Sequence, residues 1–280
     1  MSDLLFIHIE DADDPRLSDY RDIRDRDLRG EAGRPGLFIG EQMLTIEKML
    51  SVPGMTRSIL IDARWQERIR NAAKGRSQPE PISVYIATST IMQQVAGFRI
   101  HRGALACGYR PPASTLTIDH AIANVPGPLT LLACEDIANI DNIGGLFRNA
   151  TAFGIHGVVL SPRCHDPLYR KSIRVSIGHV LTMPWARSTD WLPDLERLRT
   201  TWNLTLIAAA TCSSAVPIDA VTPPQRTMIL MGSEYEGISA ATLECCDYVV
   251  RIPMAAGVDS LNVSTAAAVM MHRFSRGVRV

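Results

Sequence analysis

The stretch IPMAAGVDSLNVSTAAAVMMH, residues 252–272, changes character halfway along. It opens as the end of an apolar strand at Ile252, Pro253 and Met254, passes two small residues and Gly257, and becomes an alanine-rich helix entered through Asp259, Ser260, Leu261 and Asn262. Ser260 or Asn262 suits the N-cap, because a short side-chain oxygen there accepts from the unpaired N–H groups of the first turn. The small face of Ser264, Ala266, Ala267 and Ala268 predicts that another segment packs very close to this helix.

Outward from this stretch, strands and helices alternate. PLTLLACED predicts an apolar strand, NIGGLFRNATAF an amphipathic helix, and GVVLSP a second strand. DPLYRKSIRVSIGHV and WLPDLERLRTTW predict helices, LTLIAAAT and RTMILMGSE strands, and DYVVRIPM the last strand. Near-continuous apolar strands belong in a parallel sheet covered on both faces by helices. Ligands of such sheets bind at the carboxyl ends of the strands. Nearer the N-terminus, FIGEQMLTIEKML predicts a strand entering a helix, and RSILIDARW and ISVYIATS are strands separated by a charged helical stretch, which suggests a smaller α/β sandwich. RPPASTLTID, residues 110–119, combines two prolines with small polar residues and marks the join. The expected organisation is a first domain over 1–112, a linker over 113–127 and a second domain over 128–280.

At 280 residues the chain is long enough for two cores, and 29 basic residues balance 29 acidic ones, so any nucleic-acid surface must be local. Residues 11–34 mix both signs closely and predict a solvated helical face with ion pairs along it. SPRCHDPLYRKSIR is different: Arg163, Arg170, Lys171 and Arg174 have few acids near them in sequence and form a candidate phosphate-facing patch. No apolar run is long enough to span a bilayer, and the N-terminus lacks the pattern of a secretory signal, so a cytoplasmic protein with no membrane partner is expected. The six cysteines include no CxxC and fit structural thiols in a reducing compartment.

Three strands of the second half end in loops rich in Gly, Ser, Asn and acid. After the first, Asp141 or Asn142 can cap a helix that holds Gly144 and Gly145, and Arg148 can reach back past the helix edge. The second is MGSEYEG, where Gly232 admits a ligand to the backbone and Glu234 and Glu236 flank Tyr235. The third is the stretch at 252–272. Each alone fits ordinary capping and packing.

In combination, NxGxxxR followed by AxxFG, then MGSExEG, then IPMxxxxxSLNVSxAAA, each after a strand, resembles the three motifs of the SpoU (TrmH-type) RNA 2′-O-ribose methyltransferases of the SPOUT superfamily, over about residues 128–275. GLFIGEQMLTIEKML and FRIHRGALACGYRPP resemble, by softer patterns, the L30e-like substrate-binding domain that often precedes this catalytic domain. The resemblance implies an α/β fold whose C-terminal end forms a deep trefoil knot, a feature too rare to propose from pattern alone. It implies S-adenosylmethionine as cofactor, contacted by Met231, Gly232, Ile252, Met254, Leu261 and Asn262. It implies a catalytic role for Arg148, with Asn142, Glu236 and Asn262 orienting it or the substrate. Arginine, with a pKa above about 12, is a poor base alone; base catalysis assisted by an RNA phosphate and simple electrostatic alignment of that phosphate are both open to Arg148. The resemblance further implies a homodimer with the site completed across the interface, no metal, and an RNA substrate, ribosomal RNA favoured over transfer RNA. Tyr235 stands where the family commonly has a small residue, and Gly145 where alanine is often seen.

Two other classes compete. A non-catalytic RNA-binding protein of the same fold would have lost the arginine or the third motif, and both are present. A nucleotide-dependent oxidoreductase would carry GxGxxG after an early strand, and NIGGLFRNA does not fit that spacing.

Overall fold

The computed structural model describes residues 4–21, 36–75, 80–97, 100 and 103–275. The chain divides into two compact units, Met1–Pro112 with Leu168–Thr182, and Ala113–Pro167 with Met183–Val280.

In the first unit the elements run β1 (Leu4–His8), β2 (Leu37–Glu41), α1 (Met43–Ser51), β3 (Thr56–Ile61), α2 (Gln66–Ala73), β4 (Ile82–Ile86), α3 (Ser89–Ala96) and β5 (Ala104–Tyr109). The strands pair in the order β1-β4-β3-β5-β2, parallel from β1 to β3 and antiparallel where β5 meets β3 and β2. The expected α/β texture is there, with β1, β5 and α3 in addition. β5 is hard to see in ALACGY because its residues are small and all but the last are buried, so no polar alternation marks it. Gly108 is required: a Cβ there would sit 2.5 Å from Cζ of Phe38. Of the mixed-charge run, residues 15–20 form a 3-10 turn capped by Asp14, and its Leu17 and Tyr20 are buried rather than solvated. The remainder of that run, residues 22–34, and Phe98, Arg99, His101 and Arg102 of the L30e-like pattern lie outside the described residues.

The rest of the chain supplies α4 (Ile118–Ala121), β6 (Leu129–Cys134), α5 (Ile140–Ala152), β7 (Gly157–Leu160), α6 (Arg170–Val175), β8 (Trp185–Arg187), α7 (Trp191–Thr201), β9 (Thr205–Ala209), β10 (Val216–Pro217), β11 (Arg226–Met231), α8 (Ala240–Glu244), β12 (Tyr248–Arg251) and α9 (Val263–Phe274). Seven of these are strands in the order β10-β12-β9-β11-β6-β7-β8, and every pair is parallel. β6 is buried at all its positions, and Leu131, Leu206, Met228 and Leu195 belong to one continuous core, which explains the unbroken apolar runs.

Two expectations change. Residues 113–127 are not a bare linker: Ile118 and Ile122 enter the core of the second unit, and Ile122 packs so closely that a Cβ on Gly157 would meet it at 2.8 Å. The long helix expected over DPLYRKSIRVSIGHV stops at Val175, since Ile177 and Gly178 both take positive φ. Gly178 N–H closes onto the Ile173 carbonyl at 2.8 Å, a left-handed helix end that favours glycine.

Candidate functional site

β12, β9 and β11 are neighbours at one side of the parallel sheet, and the loops leaving their carboxyl ends wall a cavity of about 620 Å³. All six residues expected to hold a cofactor line it: Met231, Gly232, Ile252, Met254, Leu261 and Asn262. Ala209, Ala210, Thr211 and Cys212 line it as well and were not foreseen. They carry no motif, and only their place at the end of a central parallel strand points to a ligand.

One wall is a tight turn. Ser233 N–H donates to the Gly237 carbonyl at 3.0 Å, Gly237 N–H returns to the Ser233 carbonyl at 3.1 Å, and Glu236 N–H donates to Ser233 Oγ at 3.1 Å. Gly237 has φ of 70°, and the chain folds back so closely that a Cβ on Gly232 would lie 2.1 Å from the Gly237 carbonyl carbon. Glycine at 232 therefore makes room for the protein's own backbone, as well as leaving a backbone surface open to the cavity.

A chain of side-chain hydrogen bonds joins the three loops. Asn142 Nδ2 donates to Glu234 Oε1 at 2.6 Å, and Asn262 Nδ2 donates to Asn142 Oδ1 at 2.9 Å. Asn262 Oδ1 also accepts from the backbone of Ser264 and Thr265, so Asn262 caps α9 as expected while its amide is turned to Asn142. The cap of α5 is Asn139 and not Asp141 or Asn142: its Oδ1 accepts from both of their N–H groups. That frees the Asn142 side chain for its two long-range partners. Glu236 takes no part in this chain and stands at the cavity rim; Glu234 holds the place expected of it. Nearby, the buried Glu135 accepts from Ser239 N–H, Ser239 Oγ and Thr242 Oγ1, which pins the start of α8 to the end of β6.

The segment predicted to lie close to the small helix is α5. A Cβ on Gly145 would stand 2.3 Å from Ser264 Oγ, and Asn149 Nδ2 bonds both the carbonyl and the hydroxyl of Ser264 at 2.8 and 3.1 Å. Arg148, on the same helix, is exposed and is absent from the cavity wall. It does not reach Asn142, whose carboxamide is occupied by Glu234 and Asn262.

Residues 130–272, more than half of the chain, match the SpoU rRNA Methylase family. An uncharacterised tRNA/rRNA methyltransferase of Mycobacterium bovis is 34% identical over 271 residues, covering 95% of this chain and 90% of that protein. The chain belongs to the SpoU rRNA methylase family. Its fold is shared with a solved RNA 2′-O ribose methyltransferase (TM-score 0.74, 23% identity, 95% and 97% coverage). It is shared too with the SpoU methyltransferase AviRb of Streptomyces viridochromogenes solved in complex with AdoMet (TM-score 0.72, 22% identity, 93% and 97% coverage).

The basic patch of this SpoU chain differs from its expectation, because acids distant in sequence meet it. Arg163 donates from Nη2 and, at 3.0 Å, from Nε to the same Asp136 carboxylate oxygen, Oδ2, and this guanidinium holds the Asp136 carboxyl below the usual carboxylate range, with Ser161 Oγ adding to the effect. Arg170 and Arg174 both donate to Glu41, a carboxylate buried to 3% exposure, at 2.8 and 3.3 Å. Burying a carboxylate is costly unless it is paired, so these two arginines stabilise the packing of 168–182 in the first unit. Lys171 remains exposed on α6. Among the described residues no group of three His, Cys, Asp or Glu could hold a metal ion, and no helix is long and apolar enough to cross a membrane.

Proposed function

We propose that this RNA methyltransferase uses S-adenosylmethionine to methylate a ribose 2′-hydroxyl of structured RNA, with ribosomal RNA favoured over transfer RNA. The observation that carries the reading is the convergence of the MGSEYEG and IPMAAGVDSLN loops on one cavity with their polar groups tied through Asn142. The cavity suits the cofactor: Ile252, Met254 and Leu261 offer apolar surface, while Gly232 and the strand-end backbone offer hydrogen-bonding groups. When bound, S-adenosylmethionine supplies an electrophilic methyl group to the ribose oxygen.

This chain's own part is to hold and orient. Asn142 fixes Asn262 at the rim, so this polar edge of the site is set before RNA arrives and little reorganisation of it remains. Arg148 is exposed on α5 and does not line the cavity of its own chain, which supports a partner outside it, an RNA phosphate or the cavity of a second copy. A homodimer with Arg148 completing the partner's site follows from that reading. The trefoil knot, the L30e-like nature of the first domain and a cytoplasmic location are parts of the same proposal. Close chain passage is supported by Gly145 against Ser264.

The test pairs binding with turnover. Arg148→Ala is expected to abolish methyl transfer to RNA while S-adenosylmethionine binds with nearly unchanged affinity by calorimetry. Turnover within a few-fold of wild type would remove Arg148 from catalysis.

A further inference from the structure

Tyr235 is the most exposed large apolar side chain among the described residues, at 97%; the next, Leu5, reaches 51%. An aromatic ring of this size is seldom left wholly in water, because its two faces offer a large area for stacking. Its exposure is built in. The ring sits at the tip of the 233–237 turn, which is closed by the reciprocal Ser233 and Gly237 backbone bonds and by Ser233 Oγ on Glu236 N–H, and Glu234 at the turn's shoulder is anchored to Asn142. The turn therefore fixes the backbone from which the ring projects at the rim of the cavity that it lines.

We propose that Tyr235 is a base-stacking residue of the RNA site, which seats the target nucleobase or its neighbour so that the ribose faces the cavity. The proposal rests on the 2′-O-methyltransferase reading above. Charge favours a base over the RNA backbone as the ring's partner: Glu234 and Glu236 flank it on both sides, and two carboxylates repel phosphates while leaving the uncharged face of a base unaffected. Stacking on an aromatic platform is how proteins capture splayed single-stranded bases with little dependence on sequence. The ring thus supplies local affinity, and Arg148 supplies the charge.

The experiment measures three quantities on Tyr235→Ala, Tyr235→Phe and Tyr235→Trp: affinity for ribosomal RNA transcribed in vitro without modification, affinity for S-adenosylmethionine, and transfer of a tritiated methyl group. Tyr235→Ala should weaken RNA affinity and raise KM for RNA by on the order of tenfold, and lower kcat at saturating RNA as the ribose loses its alignment, with cofactor affinity close to wild type. Phe and Trp should retain wild-type KM, since stacking needs the ring and not the hydroxyl. Unchanged RNA affinity in Tyr235→Ala overturns the proposal. So does a loss of cofactor affinity, which would make the ring a cover for the methyl donor, or a change in elution volume, which would place it against a second copy. If wild-type protein moves no methyl group to RNA at all, the 2′-O reading fails, and that result is distinct from a normal wild type with an indifferent Ala variant.

Discussion

Gly232 and Asn142 show how single side chains set this site. A Cβ on Gly232 would press on backbone atoms of Gly237 that cannot swing aside. Gly232→Ala is expected to destabilise the protein by about 1–3 kcal/mol and to weaken cofactor binding, read by thermal unfolding and calorimetry. Asn142 was legible from the NxGxxxR pattern, but its partners were not. Sequence spacing cannot tell which of two acids in SEYEG points inward, because the turn's hydrogen bonds decide that, and Glu234 rather than Glu236 meets Asn142. Asp136 adds a pH prediction. Its folded-state pKa is depressed by Arg163, so its contribution is present above the ordinary carboxylate pKa near ~4 and is lost as pH falls through the depressed value. Asp136→Asn should therefore melt below wild type at neutral pH, with the gap narrowing in melts run toward strongly acidic pH. A gap that widens on acidification would contradict the pairing.

At the scale of elements, the contact between α5 and α9 is the most demanding. Alanine at 145 gains up to about 1 kcal/mol of helix propensity, yet its Cβ would stand 2.3 Å from Ser264 Oγ. Gly145→Ala is expected to destabilise despite the propensity, and adding Ser264→Ala should recover part of the loss: the Oγ contact goes, while the Cβ at 264 still stands 3.0 Å away and Asn149 keeps its bond to the residue 264 carbonyl. Additive losses in the denaturation midpoints would show that the two sites do not touch. The small face of α9 announced this partner before the structure identified it. Long apolar strands with helices between them were likewise readable: β6, β7, β9, β11, α5, α7 and α9 lie where pattern placed them, and β12 does too except that it stops at Arg251, leaving Ile252, Pro253 and Met254 in the loop. The misses have local causes. β8 has three residues and β10 has two, too few for any period to register. The end of α6 is set by positive φ at Ile177 and Gly178, and Gly178 also lies so near Thr45 that a Cβ would meet the Thr45 Cα at 3.1 Å, a contact between distant parts of the sequence.

Over the whole molecule, charge had to be placed in three dimensions before it could be interpreted. Arg170 and Arg174 looked like a free basic patch, but Glu41 lies far away in sequence and folding brings it to both. Glu41→Gln should cost roughly 1–3 kcal/mol, the upper part tempered by the partial exposure of both guanidiniums, and should speed amide hydrogen exchange across α6. An exchange pattern equal to wild type would argue against the anchoring role. The cavity, by contrast, was legible in two of its three walls, because the second and third motifs name the loops after β11 and β12, while the motif-free 209–212 segment escaped, as did Leu243 and Val250. The proposed function turns on where the methyl group goes. The direct measurement is mass spectrometry of nucleosides from ribosomal RNA incubated with the protein and isotopically labelled S-adenosylmethionine. Label is expected in a 2′-O-methylnucleoside whose 3′ phosphodiester resists alkali; label on a base, with the adjoining linkage still cleaved by alkali, would contradict ribose methylation.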